Sequence, residues 1–485
     1  MGRIAVGAMP SANSRDASAE RGMKLLLLNP PYPEPIQRRF NCSYYVNEFL
    51  YPPLELLSLA AVARRFAGVE PEVVDAIALR LSEDEVIARA GRADLLLALG
   101  AQEMIGDDLH FLNRLKAAHP HLPVGIFGYY ATLYPHEILS RTSLDYLLIG
   151  EPENVFAEFL AWRLGQGPAP AVGLGWKENG EARVGEPAER IVDLDALPWP
   201  AYDLIDLAAY RDLDLPLPMA AVMAGRGCPQ PCNYCPRSYS KRYLTHSVDS
   251  TIVHVKELIA TKHIRSLRFM DDSVTVNRDY LLELCAGLEP LGLVWTANAN
   301  LPAMTPEIAT AMKRAGCRRL WFGLESGSDK ILQAFGKTQT PALIREKLRV
   351  CRAAGVEAGG HIIVGHPEET EEDFARSVAL IKGLDLDYLG VNAVAFYPGT
   401  ELYEQYRELI DFEIFPYRCR IKDPTLVAKA LARQKVLYRK FYFSPRVIVR
   451  RMGDLIRQPR VAFKRVLDLL KILFLPDPEA RRPGF

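Results

Sequence analysis

The sequence predicts an α/β protein with three parts: an N-terminal doubly wound, Rossmann-like domain, a partial (β/α)6 barrel of the TIM type, and a C-terminal helical region. Three observations predict it. Two separate series of short apolar runs alternate with amphipathic stretches, which is the pattern of parallel sheets with crossover helices. The second series has six strands, too few for a closed eight-stranded barrel. From about residue 405 the helical pattern continues without strands. The divisions fall at 1–22, a small, polar, aperiodic extension expected to be disordered; 23–168, the Rossmann-like domain; 169–217, a hairpin and packed linker; 218–405, the barrel; and 406–485, the helical region. At roughly 150 residues per domain, the 485 residues suit this division and leave ample length for buried cores.

The first series places strands at 24–28, 70–75, 94–99, 124–127 and 145–149, with helical periodicity near 54–67, 82–91, 106–119 and 134–141 and a closing helix near 153–165. Ligands of a doubly wound sheet bind beyond the carboxyl ends of its strands. Here those ends carry Asn29-Pro30-Pro31-Tyr32, Gly100-Ala101-Gln102, Gly128-Tyr129-Tyr130 and Gly150-Glu151-Pro152-Glu153. Asn179-Gly180 then marks an antiparallel hairpin. The second series places strands at 219–224, 266–271, 293–297, 319–323, 359–364 and 388–396. Active-site residues are expected where these strands end.

Charge adds a feature that the totals conceal. The chain holds 59 Lys plus Arg against 59 Asp plus Glu, so nothing global points to nucleic acid. Yet residues 433–474 contain 12 Lys or Arg against two Asp, a net of +10 that leaves −10 elsewhere. Apolar residues interleave with these cations at near-helical spacing. Two readings stand: an interfacial helix on anionic lipid that reaches a lipid-like substrate, or helices docked on an acidic face of the same chain. No apolar run approaches the roughly 20 residues of a membrane span, and no signal peptide opens the chain. Eight cysteines in 485 residues are far too sparse for a secreted disulfide scaffold, so a reducing cytoplasm is the expected compartment.

Three of those cysteines form a motif just past the first barrel strand, Gly225-Arg226-Gly227-Cys228-Pro229-Gln230-Pro231-Cys232-Asn233-Tyr234-Cys235. Three thiolates on one Gly/Pro-rich loop can face a single inorganic centre. Structural zinc takes four protein ligands, and no fourth Cys or His lies at finger spacing. A 4Fe-4S cluster held by three Cys leaves one iron open to another ligand. The other five, Cys42, Cys285, Cys317, Cys351 and Cys419, read as packing or loop residues.

The C-x3-C-x-aromatic-C pattern of Cys228, Cys232, Tyr234 and Cys235 resembles the signature of the radical SAM superfamily. The resemblance implies that the open iron chelates S-adenosylmethionine (SAM), that an electron from the cluster cleaves it to a 5′-deoxyadenosyl radical, and that Tyr234 packs near the adenine. Further strand ends fit the same family. Asp271 and Asp272 end the second strand as an acidic pair suited to a substrate or cofactor ammonium, with a helix N-cap as the plain alternative. Gly323-Leu324-Glu325-Ser326-Gly327-Ser328 matches the family's G-x-E-S-G-S, which implies that Glu325 and Ser326 bind SAM. Lys337 falls where a cation could pair with a carboxylate or simply be solvated. Gly365-His366-Pro367-Glu368-Glu369-Thr370 resembles the turn beside the adenine, with Glu368 in place of its usual second Gly, and Tyr397-Pro398-Gly399-Thr400 also fits. The likeness spans about 219–405.

A domain that opens Leu28-Asn29-Pro30-Pro31, continues with Pro52-Pro53-Leu54-Glu55-Leu56-Leu57 and closes in Gly150-Glu151-Pro152-Glu153 resembles the cobalamin-binding domain of class B radical SAM enzymes, a subfamily with carbon methyltransferases and the anaerobic magnesium-protoporphyrin ester cyclase. Its corrin lies at the sheet's carboxyl edge, which here implicates Asn29, Gly128, Tyr129, Gly150 and Glu151. The D-x-H-x-x-G sequence for a lower histidine ligand is absent, and Tyr129 stands where a Gly is usual. A degenerate domain that only shapes the cavity is therefore the alternative to a bound cofactor. His110, His119, His121 and His136 are not assigned as cobalt ligands. The implied function is a cobalamin-dependent methyltransferase acting on an unactivated carbon, reduced by a flavodoxin- or ferredoxin-type donor. The alternatives are a radical cyclase and a non-catalytic metal-binding protein.

Overall fold

In the computed structural model, residues 22–40, 43–45, 49–236, 241–411, 415–416 and 421–449 are described. The extension 1–21, Cys42, Cys419 and the tail 450–474 lie outside these residues. The chain divides between Tyr210 and Arg211 into two units.

The first unit is built on a seven-stranded sheet. Strands β1 (Met23–Asn29), β4 (Val69–Asp75), β5 (Leu95–Leu99), β6 (Val124–Phe127) and β7 (Tyr146–Leu148) are parallel, in the order β4-β1-β5-β6-β7. Leu25–Leu28 and Leu95–Leu99 are buried throughout, because helices cover both faces of a parallel sheet. The helices are α1 (Leu54–Ala63), α2 (Glu83–Ala90), α3 (Ile105–Ala118), α4 (Tyr129–Leu133), α5 (Pro135–Arg141) and α6 (Pro152–Arg163). Between β1 and α1 lies a short antiparallel pair, β2 (Ile36–Arg38) and β3 (Ser43–Tyr45). The expected hairpin forms from β8 (Leu174–Glu178) and β9 (Glu181–Val184), with Asn179 and Gly180 both at positive φ as a type I′ turn requires. It is not a separate appendage: β8 pairs antiparallel with β7, Trp176 opposite Tyr146, and so extends the sheet.

The second unit holds six parallel strands in consecutive order: β10 (Met219–Val222), β11 (Ser266–Phe269), β12 (Val294–Ala299), β13 (Cys317–Glu325), β14 (Glu357–Val364) and β15 (Tyr388–Ala393). Helices α7 (Val248–Lys262), α8 (Arg278–Leu288), α9 (Pro306–Arg314), α10 (Asp329–Ala334), α11 (Pro341–Ala353) and α12 (Glu371–Gly383) connect them. Residues 211–217, expected in a linker, belong to this barrel. Asp212 accepts a 3.0 Å bond from Thr296, and Asp214 pairs at 2.8 Å with Arg319, whose side chain is wholly buried.

After α13 (Glu401–Gln405) comes α14 (Pro424–Tyr442), which solves the edge problem of β15. Its Tyr438 and Tyr442 hydroxyls accept from the Val391 and Leu389 amides at 3.0 and 3.2 Å, and Tyr442 donates back to the Leu389 carbonyl at 3.0 Å. Gln434 donates to the Val391 carbonyl at 2.7 Å. Side chains at helical spacing thus satisfy backbone groups that a seventh strand would otherwise take. Three cations on and just after α14 pair with acids of the same chain. Arg433 pairs with Glu369 and Glu371, Lys429 with Glu371, and Arg446 with Asp385. Of the cations counted in the basic region, Arg433 and Arg446 are thus paired within the chain. Among the described residues no helix is long and apolar enough to cross a membrane.

Candidate functional site

The cysteine loop leaves β10 through Gly225–Arg226, which pairs with Leu244–Thr245, and turns at Gly227 with φ +87°. Cys228, Cys232 and Cys235 are half-buried on it. The loop is pinned from the opposite side of the barrel mouth. The Asn233 side-chain amide donates to the Ala334 carbonyl at 2.7 Å, and the Asn233 backbone carbonyl accepts from Leu402 N at 3.0 Å. Gly336 follows α10 at φ +68°, and a Cβ there would lie 2.6 Å from the Pro231 carbonyl, so glycine permits the close approach.

A second anchor joins the loop to the end of β13. Tyr234 donates a 2.6 Å hydrogen bond to Glu325 Oε1, and Lys337 Nζ reaches the same oxygen at 2.9 Å. Glu325 is buried, adopts φ +60°, and sits at a register irregularity in β13. A Cβ on Gly323 would meet its carboxylate at 2.1 Å, so the Gly of the G-x-E sequence makes room for the Glu side chain folded back over it. Burial, the Glu325 charge and then the Cys232 and Cys235 sulfurs push the Tyr234 pKa up, which keeps that hydroxyl a donor. Burial opposes the charge on Lys337, but Glu325 and the same two sulfurs together outweigh it and hold the ammonium charged. Lys337, left undecided between pairing and solvation, is therefore a paired, interior cation.

The remaining strand ends divide. The Asp271 carboxylate accepts from Ala224 N at 3.0 Å and so braces the start of the cysteine loop; burial pushes its pKa up to about 7, against the hydrogen bonds it accepts. Asp272 is half-buried beside it. Ser326 is not brought to this cluster. It is fully buried, its Oγ 3.1 Å from Ser377 Oγ on α12, and it accepts from Ser328 N, so its hydroxyl locks helix to strand rather than facing a ligand. Gly365 (φ +87°) donates its amide to Glu369 at 2.9 Å. Glu368, the departure from the family turn, is accommodated: Lys330 binds its carbonyl at 2.7 Å and Tyr406 its carboxylate at 2.7 Å.

Residues 222–381 match the radical SAM superfamily. The chain carries a radical SAM domain. Such a domain implies a 4Fe-4S cluster and SAM. Among the described residues no three His, Cys, Asp or Glu side chains converge to hold a single metal ion, as a structural zinc would need. A four-iron cluster instead takes each thiolate on a different iron, and three half-buried sulfurs on one loop, two of them close to the charged Lys337, fit it by donor chemistry.

Similarity extends beyond the radical SAM domain. An uncharacterized methyltransferase of Pyrococcus horikoshii is 28% identical over 470 residues, covering 93% of this chain and 99% of that one. The anaerobic magnesium-protoporphyrin IX monomethyl ester cyclase of Cereibacter sphaeroides is 23% identical over 65% of this chain and 54% of its own length. Among solved structures, the radical SAM methyltransferase TsrM from Kitasatospora setae, with cobalamin and a [4Fe-4S] cluster bound, superposes with TM-score 0.62 at 17% identity, over 80% of this chain and 75% of that one. The cobalamin-dependent radical SAM enzyme OxsB does so with TM-score 0.68 at 15% identity, over 95% and 74%. At these identities the likeness is one of fold.

Outside the radical SAM domain, the carboxyl edge of the N-terminal sheet holds a buried polar network that the sequence did not disclose. Arg38, on β2, donates to Asn29 Oδ1 (3.0 Å), the Pro30 carbonyl (2.6 Å) and Asp108 (2.6 Å). Asn29 donates to Asp75 at 2.8 Å, and Tyr210 donates to Asp75 at 3.1 Å. Burial pushes the Asp75 and Asp108 carboxyls up, with the Arg38 charge opposing. Of the residues expected to meet a corrin, Asn29 is taken up in this network and Glu151 pairs with Arg190. Gly128 (φ +135°) lies so close to Gly100 that a Cβ would be 2.3 Å from its carbonyl, and a Cβ on Gly150 would be 3.1 Å from Ala188 N. Tyr129 alone of the five presents a partly exposed side chain, its amide held at 2.8 Å by the Phe40 carbonyl.

Proposed function

We propose that this radical SAM enzyme is a cobalamin-dependent methyltransferase acting on an unactivated carbon of a small or lipid-like substrate. The observation that carries the reading is the likeness, over both units of the chain rather than over the radical SAM domain alone, to two methyltransferases and to a cobalamin-dependent radical SAM enzyme. In this reading Cys228, Cys232 and Cys235 hold the cluster. Tyr234, Asp272, Glu325 and Gly365 border SAM, with Asp271 bracing the loop between β10 and the first cysteine. When bound, the cluster, SAM and corrinoid supply electron transfer, hydrogen abstraction and the transferable methyl group.

The chain's own residues bind and orient. Glu325 offers a carboxylate for ribose hydroxyls or the SAM ammonium, its charge compensated by Lys337. Tyr234 sets the tilt of the cysteine loop through its bond to that carboxylate. On the N-terminal sheet, Tyr129 offers an aromatic surface to a corrin. The internal partners of Asn29, Gly128, Gly150 and Glu151 make them the frame of that edge rather than cofactor contacts. No side chain is assigned to cobalt.

The test is anaerobic purification and reconstitution with iron and sulfide, then reduction by a flavodoxin- or ferredoxin-type donor. The reading expects corrin bands beside the iron-sulfur absorption and, from labelled SAM, 5′-deoxyadenosine together with a product that carries the labelled methyl. The likeness to the ester cyclase supports a second reading, a radical cyclase. Deoxyadenosine with a product that has lost hydrogen or gained oxygen, and no label, selects it. Absence of deoxyadenosine under strong reduction overturns both.

A further inference from the structure

The turn that joins β14 to α12 is held from outside the barrel by one buried cation. Arg433, on α14, donates through Nη1 to Glu369 Oε2 at 2.6 Å, with the two side chains 5% and 1% exposed. The same carboxylate oxygen accepts the Gly365 amide at 2.9 Å, where the chain leaves β14 in the left-handed region. Arg433 also reaches the Glu369 carbonyl at 3.4 Å and, through Nη2, Glu371 at 2.8 Å, and its guanidinium lies 5.0 Å from the centre of the Phe374 ring. No side chain can come between turn and helix, since a Cβ on Gly365 would be 2.7 Å from the Ala430 methyl.

A buried ion pair is a poor source of stability, because an apolar pair of similar volume is commonly as stable or more so. What an apolar pair could not do is accept the Gly365 amide and fix its direction. The other flank of the turn leads to the cysteine loop. The His366 ring packs edge-on against Phe335 at 4.8 Å and Tyr406 at 5.6 Å, and Phe335 packs edge-on against Tyr234 at 5.1 Å. The turn therefore lies between α14 and the aromatic residue of the cysteine motif.

We infer that Arg433 is a positioning residue of the SAM site: through Glu369 it fixes the Gly365–Glu369 turn, so that the C-terminal helix sets SAM affinity without touching SAM. This rests on the reading that the turn borders SAM. The experiment uses full-length, reconstituted protein and compares wild type, Arg433→Met, Arg433→Lys and the double variant Arg433→Met/Glu369→Gln. Readouts are iron content, melting temperature, SAM KM and kcat for deoxyadenosine formation, and the shift that SAM produces in the EPR spectrum of the reduced cluster.

Arg433→Met is expected to raise SAM KM on the order of tenfold, the usual scale for removing a group that orients a binding residue, with kcat at saturating SAM and iron content unchanged. The double variant restores a neutral acceptor for Gly365 without an unpaired buried carboxylate and is expected to recover most of the lost affinity. Arg433→Lys keeps the charge but loses the forked contact, so an intermediate KM is expected; it also serves if the methionine variant fails to fold. An unchanged SAM KM and EPR shift in a folded, cluster-loaded variant overturns the inference, as does a change in melting temperature alone. If SAM leaves the wild-type cluster spectrum unmoved, the reading of the site fails instead.

Discussion

The carboxyl edge of the radical SAM sheet and that of the N-terminal sheet both carry buried charged and polar groups, and they differ in what those groups face. In the radical SAM domain, Glu325, Lys337 and Tyr234 bond to one another beside the cysteine sulfurs, and Glu325 and Lys337 gain their proximity from a glycine that leaves space. At the N-terminal edge, Arg38, Asp108, Asn29, Asp75 and Tyr210 bond to one another with no sulfur among them, and the neighbouring glycines are packed against backbone. The first arrangement is chemistry with structural support. The second is an internal network that ties separate elements together. A polar cluster at a strand end is thus not by itself a reactive site; the groups its members face decide.

The contrast is broken most directly at the sulfurs. Cys232→Ala is expected to abolish deoxyadenosine formation and lower iron content while the protein stays folded, because the proposed function makes its half-buried thiol a cluster ligand rather than a packing group. Full activity in that variant would remove the chemical half of the comparison. At the other edge, Arg38→Met leaves Asp108 buried without its cation, and a loss of about 3–5 kcal/mol from the N-terminal unit is expected on breaking such a pair. Hydrogen exchange over residues 23–163 reads it, with iron per chain unchanged. A loss of iron as large as that of the cysteine variant would show that the two edges are not distinct in role.

How far each edge could be read in advance follows from the same difference. All five parallel strands of the first unit and all six of the second were legible, because runs such as Leu25–Leu28 and Leu95–Leu99 are apolar on both faces. The candidate site could be proposed from the sequence because its parts are contiguous: three cysteines and Tyr234 within one loop, Gly323 and Glu325 two residues apart. Arg38, Asp75, Asp108 and Tyr210 carry no such signal, since their meeting depends on four separate elements. Ser326 misled for the opposite reason. It is part of a contiguous motif, yet strand geometry turns it onto Ser377 of α12. The edge-sealing tyrosines Tyr438 and Tyr442 were hidden inside a basic, apolar pattern that an interfacial helix would share.

A graded test uses the acid at the end of β11. Burial pushes the native Asp271 carboxyl up to about 7 from an ordinary 3.8, so between those pH values the folded chain holds a proton that the unfolded chain has lost. Stability contributed by this group is therefore fully present below about pH 4 and declines as pH rises to about 7. Asp271→Asn keeps an acceptor for Ala224 N and removes the titration. Urea midpoints of wild type and variant are expected to agree at pH 4 and to diverge in the variant's favour by pH 8. Parallel curves would show that Asp271 is ionised and engaged by a cation in the folded protein.

The smallest expected effect separates backbone conformation from the polar edge within one unit. Gly180 adopts φ +86° in the β8–β9 turn, and a Cβ there would meet nothing within 4 Å. Gly180→Ala therefore meets no clash and costs only the left-handed conformation, about 1 kcal/mol. The turn lies at the far end of the sheet from β1 and β4, so Asn29 and Asp75 should keep their exchange protection while amides of 174–184 lose theirs. Loss of protection at Asn29 and Asp75 in this variant would mean that the sheet responds as one cooperative body, and the N-terminal network would then owe its rigidity to the whole sheet rather than to Arg38.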